Sequence, residues 1–395
     1  MRTGTIVRNA NRTSVLELIR MEEPISRAGI AKELKMSRSA VSEIVDLLVS
    51  EGLVREVGTG NSTQRGGRPS VQLRFVPTAR YSFGIDIGGT KTIFLLADLS
   101  GHVVASRKMS SHAEGVDSLE HIRSEAERFL SSLDIAREKI VGTGVGAPGV
   151  TNYESGVVVA APGLGWNHVN VKEAFERTLP GPVFVDNDVN MAVIGETWKG
   201  RGANYRNVVL VTVGTGIGAG IMMNGTVHRG AQGYAGEIGY FVVDPLAEGK
   251  NELESFGALD RLASGSGIES QAAAMLADYP DSLLHGQDIT SEQVFAAASK
   301  ADPLATRVVK TVENYVAYAL MNIVALLNPD VVILGGGVAQ SGEAFLSAIQ
   351  SRVRDLMPIP VTVVGAALGE NAGALGAAAT VLLETNHLKL NSRQV

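Results

Sequence analysis

The stretch FGIDIGGTK (83–91) enters a glycine and threonine turn from one short apolar run and leaves it into another, and LVTVGTGIGAG (210–220) repeats the design. The flanking runs, 81–87 and 92–97 at the first turn and 208–213 and 217–223 at the second, read as strands joined by tight turns. Glycine leaves the backbone of a turn uncovered, so amides there that lack ladder partners can bond phosphate oxygens directly. Two such turns facing each other would hold one nucleotide from both sides. The repeat predicts two similar lobes around a cleft.

Each half continues in alternating elements. The first predicts a helix over 118–133, strands over 140–145 and 183–185, and a helix over 188–198. The second predicts helices over 291–298 and 304–327 and a strand over 331–334. Alternation of this kind points to layered α/β architecture.

Residues 1–80 have a different character. Thr13 is placed to cap a helix carrying Val15, Leu16 and Ile19, Ser26 a second carrying Ile30, Ala31 and Leu34, and Ser37 a third carrying Val41, Ile44, Val45 and Leu48. Only Lys35 and Met36 separate the second and third helices, the short turn of a helix-turn-helix. Ser37, Arg38, Ser39 and Ser42 lie off the apolar face of the third, where hydroxyl and guanidinium groups suit phosphates and major-groove base edges. Strands over 53–57 and 71–75 follow, and the whole resembles a winged helix-turn-helix. Between them, RGGRP (65–69) sets Arg65 and Arg68 on a slim backbone, either as a minor-groove hook or as a solvated wing.

Charge divides along the same line. Residues 1–80 hold 13 Lys and Arg against 8 Asp and Glu, a net +5, while the remainder carries −11. An acidic body repels DNA, so nucleic-acid contact is expected in the head alone. At 395 residues the chain suits two to three domains of about 150 residues each. The expected units are 1–78, 79–200 and 201–395, with the C-terminal helix returning to the first lobe. The absence of cysteine excludes disulfides and thiolate metal sites. With no signal-like or membrane-length apolar stretch, a soluble cytoplasmic protein is expected.

DIGGTK (86–91), VDNDVN (185–190), VGTGIG (213–218), GEIG (236–239) and LGGGV (334–338) stand in the order and spacing of the ROK family of repressors, open reading frames and sugar kinases. With its winged head, the chain resembles the xylose-repressor-type regulators of that family. The resemblance spans nearly the whole chain. It implies an actin-like, ribonuclease-H-like fold of two lobes, with nucleotide and sugar sites between them, in a homodimer or tetramer.

By the same resemblance, ATP and Mg²⁺ are the candidate cofactors. Asp86 would help hold Mg²⁺ through the phosphates, and Gly88, Gly89, Thr90 and Lys91 would shape the first phosphate turn. Gly214, Thr215 and Gly216 match the second turn, and Gly335, Gly336 and Gly337 the adenosine side. Asp188 matches the aspartate that accepts the sugar hydroxyl proton during phosphoryl transfer. Sugar contacts are implied at Asn187, Asp188 and Glu237, with Gly149 in one wall. Asp188 falls at a helix start, where the dipole favours the anion, although Asn187 and Asp188 are equally ordinary capping residues.

The departures from the family are specific. Tyr240 stands where a histidine is usual, Asp260 where a sugar-contacting glutamate is, and Gly163 where the kinases often carry asparagine. The family's three zinc cysteines have no counterpart, so no zinc is expected, and packing through Leu253, Phe256 and Leu259 would hold that loop instead. GVGAPG (144–149) mimics a dinucleotide pattern but contains Pro148 and lacks the acidic residue required about 20 positions on. Two functions therefore compete. One is a sugar-responsive DNA-binding regulator of carbohydrate genes, of repressor type, with operator DNA and a sugar or sugar phosphate as partners; the other is an ATP-dependent hexose-type kinase that keeps the head.

Overall fold

The head folds as three helices and a small sheet, α1 (Arg2–Glu22), β1 (Ile25–Ser26), α2 (Arg27–Glu33), α3 (Arg38–Ser50), β2 (Val54–Thr59) and β3 (Val71–Phe75). This computed structural model describes residues 2–59, 70–244, 257–340 and 342–390. Arg65, Arg68, Leu253 and Phe256, all singled out in the sequence, lie outside the described residues.

Ser26 and Ser37 cap their helices: each Oγ accepts from a backbone amide 3.2 Å away, Gly29 N and Ala40 N respectively. Thr13 does not cap. Helix α1 begins at Arg2, and the spacing of Val15, Leu16 and Ile19 marks only the buried face of its second half. The Thr13 hydroxyl instead donates to the Asn386 carbonyl at 3.2 Å, far along the chain. The segment before α2 adds a strand that the sequence did not reveal, giving the antiparallel order β1-β3-β2.

The first lobe comprises β4 (Tyr81–Ile87), β5 (Lys91–Asp98), β6 (Val103–Ser110), α4 (Ser118–Ser131), β7 (Ile140–Ala147), β8 (Val150–Asn152), β9 (Val157–Ala161), β10 (Trp166–Asn170), α5 (Val171–Glu176), β11 (Val183–Asn187) and α6 (Asp188–Lys199). The second comprises β12 (Val208–Val213), β13 (Ile217–Met223), β14 (Thr226–Val227), α7 (Ala258–Ala263), α8 (Gly265–Met275), α9 (Ser291–Ala298), α10 (Pro303–Leu327), β15 (Val331–Gly335), α11 (Glu343–Leu356), β16 (Thr362–Gly365) and α12 (Ala372–Glu384).

The two main sheets share one topology. Their orders are β6-β5-β4-β7-β11 and β14-β13-β12-β15-β16, each with two antiparallel hairpin pairings followed by two parallel ones. Outside the first sheet, Phe83, Ile85 and Phe94 pack on Ile122, Ala126 and Phe129 of α4. Outside the second, Val209, Val211 and Val213 pack on Val312, Val316 and Leu320 of α10. Between the sheets lie α6 and α12, side by side in a third core that also takes in Leu16 and Ile19 of the head.

Helix α12 seats against backbone. A Cβ at Gly84 would lie 1.9 Å from the Ala374 carbonyl oxygen, and one at Gly376 only 1.6 Å from that of Met191. Glycine is the one residue that permits approaches this close.

Candidate functional site

The β4–β5 turn and the start of α6 meet at the floor of the cleft between the lobes. Asp86, Gly88, Lys91, Asp188, Gly335, Gly336 and Gly337 line it together with Gln340 and Glu370, around about 250 Å³. That is below the roughly 300–1,000 Å³ of ordinary small-molecule sites. The second glycine turn is held against α8: the Gly214 carbonyl accepts from Gly265 N at 2.7 Å, and Ser266 Oγ reaches the Thr215 carbonyl at 3.4 Å.

The turns are also less open than glycine content alone suggests. Gly88 N donates to the Lys91 carbonyl at 2.8 Å, and Gly214 N to the Gly216 carbonyl at 2.9 Å. The Gly89 carbonyl lies 2.8 Å from His112 Nε2, and the Gly88 carbonyl accepts from Ser111 Oγ at 2.7 Å. The expectation that turn amides lack partners thus fails at Gly88 and Gly214, because each turn closes on itself.

Asn187 caps α6, its Oδ1 accepting from Val189 N at 2.9 Å and Asn190 N at 3.2 Å. Its Nδ2 donates to the Gly149 carbonyl at 3.0 Å, which fixes the side chain across the cleft wall. Asp188 follows as the first helical residue and accepts from Val189 N at 2.9 Å. Burial, then the charge of Asp86, push its carboxyl up to about 8 despite that amide, with Glu237 adding to the rise. The helix start was expected to favour the anion; desolvation and a second carboxylate outweigh it here. Burial likewise lifts Asp86 to about 7, opposed by Lys91.

Glu237 and Asp260 extend the acidic wall. Burial, and then Asp260, raise Glu237. Asp260 is tied to backbone, with Oδ1 accepting from Ile217 N at 2.7 Å and Oδ2 from Gly257 N at 3.0 Å, while burial raises its carboxyl. Tyr240 is raised by burial and by the fields of Glu237, Asp260 and Tyr234. The sugar candidates Gly149, Asn187, Asp188, Glu237, Tyr240 and Asp260 are therefore linked by hydrogen bonds or electrostatic coupling. The dinucleotide mimic is not such a turn: Gly144 to Ala147 belong to β7, and strand β8 follows rather than a helix.

Three further residues hold the site's polar groups and were not among the candidates read from the sequence. Asp186, 1% exposed, accepts from Asn187 N at 2.8 Å and Asn190 Nδ2 at 3.0 Å, and pairs with Arg229 Nε at 2.8 Å. Glu370 pairs with Lys91 and, at 2.9 Å, with Lys108. Asp186 lies inside VDNDVN, so its neighbours were a signal; Arg229 and Glu370 had none.

In the head, Ser37, Arg38 and Ser39 are exposed at the start of α3 and Ser42 is half-buried. Ser37 Oγ lies 3.2 Å from Ser39 Oγ, and Arg38 between them is exposed, with Lys32 at the end of α2 and Lys35 in the turn also exposed. Among the described residues, no helix is long and apolar enough to cross a membrane.

Comparison with known proteins matches both parts. A profile of the ROK family matches residues 82–384, and one of the MarR family matches residues 9–62. The chain is 31% identical to a glucokinase of Halalkalibacterium halodurans over 78% of its own length and 97% of that protein. It is 28% identical to the xylose repressor of Bacillus subtilis over 96% of each. A crystal structure of a ROK family transcriptional regulator, a homolog of the E. coli MLC protein, superposes with TM-score 0.83 at 26% identity, covering 97% of this chain and 98% of that one.

Proposed function

The chain belongs to the ROK family, and from that premise we propose that it is a sugar-responsive DNA-binding transcriptional regulator, of repressor type, acting on genes of carbohydrate use. One observation supports this above the others: the head shares an unbroken core with α6 and α12, the two helices that run between the lobes. A change in lobe packing therefore has a direct path to α1.

The roles follow from the geometry. The start of α3 would enter the major groove, with Arg38 reaching a base edge or phosphate. One short helix reads few base pairs, so a homodimer or tetramer would read a pseudo-palindrome in the cytoplasm. Asn187, Asp188 and Glu237 would take the hydroxyls of a sugar or sugar phosphate against Gly149, with Tyr240 and buried Asp260 coupled to Glu237. Units 1–78, 79–200 and 201–395 serve as head, first lobe and second lobe.

The kinase reading is favoured by one feature, the retention of both Asp86 and Asp188 at a single floor. Two adjacent carboxyls that resist ionisation suit a divalent cation, so Mg²⁺ with ATP fits Asp86 and the turns at 88–91, 214–216 and 335–337 chemically. Bound ATP would supply the phosphoryl group. Asp188, ionised once a cation's charge offsets that of Asp86, would orient the sugar hydroxyl and receive its proton. Glu370 works against this, because it occupies the cationic heads of Lys91 and Lys108 at the mouth of the cleft.

The test is selection of duplexes from a random DNA library by the full-length protein, beside an ATP-consumption assay with D-glucose, D-xylose and N-acetyl-D-glucosamine. A pseudo-palindrome should emerge, and Arg38→Ala should weaken its binding by about tenfold. Failure to enrich any sequence would refute the regulator. Robust ATP consumption that Asp188→Asn abolishes would establish the kinase.

A further inference from the structure

Arg229 joins the two lobes beside the sugar residues. It belongs to the second lobe, on the segment between β14 and Glu237, yet its guanidinium pairs with buried Asp186 of the first. Asp186 in turn holds Asn187 N and Asn190 Nδ2, the backbone and first turn that present Asn187 and Asp188. On its own segment, the Arg229 carbonyl accepts from Ala235 N at 3.1 Å, closing a short loop two residues before Glu237. Movement of Glu237 thus reaches Arg229 through a closed loop rather than a slack one.

From Arg229 the contacts run away from the cleft. Its guanidinium carbon stacks 3.8 Å from the centre of the Tyr153 ring, at the β8–β9 turn. The Tyr153 hydroxyl donates to Glu384 Oε1 at 2.6 Å, a charge-assisted bond to the last residue of α12. Burial and that carboxylate both keep the phenol protonated, so the bond persists across the physiological range.

Immediately beyond Glu384 the chain grips the head. The Asn386 carbonyl accepts the Thr13 hydroxyl at 3.2 Å, and Lys389 N donates to Glu17 Oε1 at 3.2 Å. Leu388, 3% exposed, packs in the same core as Leu16 and Ile19 of α1. Glu17 is itself 3% exposed and paired with Arg20, which makes its bond to Lys389 N a desolvated one.

We infer that Arg229 is a positioning residue of the sugar site, and that the chain Asp186, Arg229, Tyr153, Glu384 carries the state of that site to the C-terminal segment holding α1 of the head. The inference rests on the preceding reading that Asn187 and Asp188 meet a sugar. Every link is a charged or stacked contact between different elements, so drawing Asn187 and Glu237 together on a ligand moves the far end as well.

Hydrogen exchange on the full-length protein tests it, with peptides covering 10–22 and 385–390. Without sugar, Tyr153→Phe and Glu384→Ala should speed exchange there by about fivefold, while Glu384→Gln, whose amide oxygen still accepts the hydroxyl, should stay within about twofold. Unchanged exchange in Tyr153→Phe overturns the link. With whichever of D-glucose, D-xylose or N-acetyl-D-glucosamine binds, the parent should change its exchange over 10–22. Tyr153→Phe should bind that sugar within about threefold of the parent and lose the change. An equal response in both would sink the relay but leave the sensor standing. If none of the three binds, the sensor reading falls for these sugars, and the sugar-free comparison still decides the link.

Discussion

The two lobes share a strand order but not a way of holding their inner helix. Counted back from each hairpin turn, Gly84 of β4 corresponds to Leu210 of β12. At Gly84 the backbone of α12 presses directly on the sheet, whereas Leu210 fills the same position with a buried side chain. In the second sheet the close approach moves one strand over, to Gly220 of β13, where an added Cβ would lie 2.5 Å from the Val189 carbonyl oxygen of α6. Backbone contact admits one spacing, and side-chain contact admits several small ones. The first lobe and α12 therefore form the fixed half, locked by backbone at both Gly84 and Gly144, while the second lobe meets the inner helices through one such approach, at Gly220, and through side chains such as Leu210.

Chemistry is divided the same way. The first turn carries Asp86 and Lys91, while the second, VGTGI (213–217), carries no ionisable side chain. The fixed half thus supplies Asp86, Lys91 and Asp188 at the cleft floor, and the other half supplies backbone and the acidic wall of Glu237 and Asp260.

The largest expected effect breaks the fixed half. Gly84→Ala drives a methyl into the Ala374 carbonyl and should cost more than about 4 kcal/mol, read as loss of soluble folded protein. Its counterpart Leu210→Ala only empties space. It should cost about 3 kcal/mol in denaturant unfolding while leaving the protein folded. Equal costs at the two positions would erase the contrast between the lobes.

A smaller effect probes where the fixed half meets the head. Burial, with Arg12 and Arg80 nearby, depresses His387 to about 4, against the opposing influence of Glu51 and a bond involving Thr385. The docked imidazole is thus neutral while a released one titrates near 6.5. Stability from this group is complete above pH 6.5 and falls as pH drops towards 4, by about 2 kcal/mol at pH 5. His387→Gln should flatten that slope in thermal unfolding between pH 5 and 7; an unaltered slope would remove His387 from the interface.

Much of the architecture was legible in the sequence because its signals are local. The two glycine turns, the Ser26 and Ser37 caps and each separate motif lie within a few residues. What escaped depends on distance along the chain. Tyr153 meets Glu384 across 231 positions and Asp186 meets Arg229 across 43, separations that no periodicity records. Helix α12, AGALGAAATVLLE, is almost uniformly small and apolar, so its sequence does not show which face takes the sheet. The preference of Asp188 for its protonated form escaped for the same reason, since its helix start is local and neither its burial nor Asp86 is.

The most direct test of the central claim, that the cleft governs the head, is one equilibrium titration. The parent protein is added to its own library-selected duplex at fixed salt, with and without a saturating sugar that calorimetry has shown to bind. The expected result is a change in DNA Kd of at least about fivefold, matched by an equal change in sugar Kd when DNA is present. An identical DNA Kd in both conditions would contradict the account.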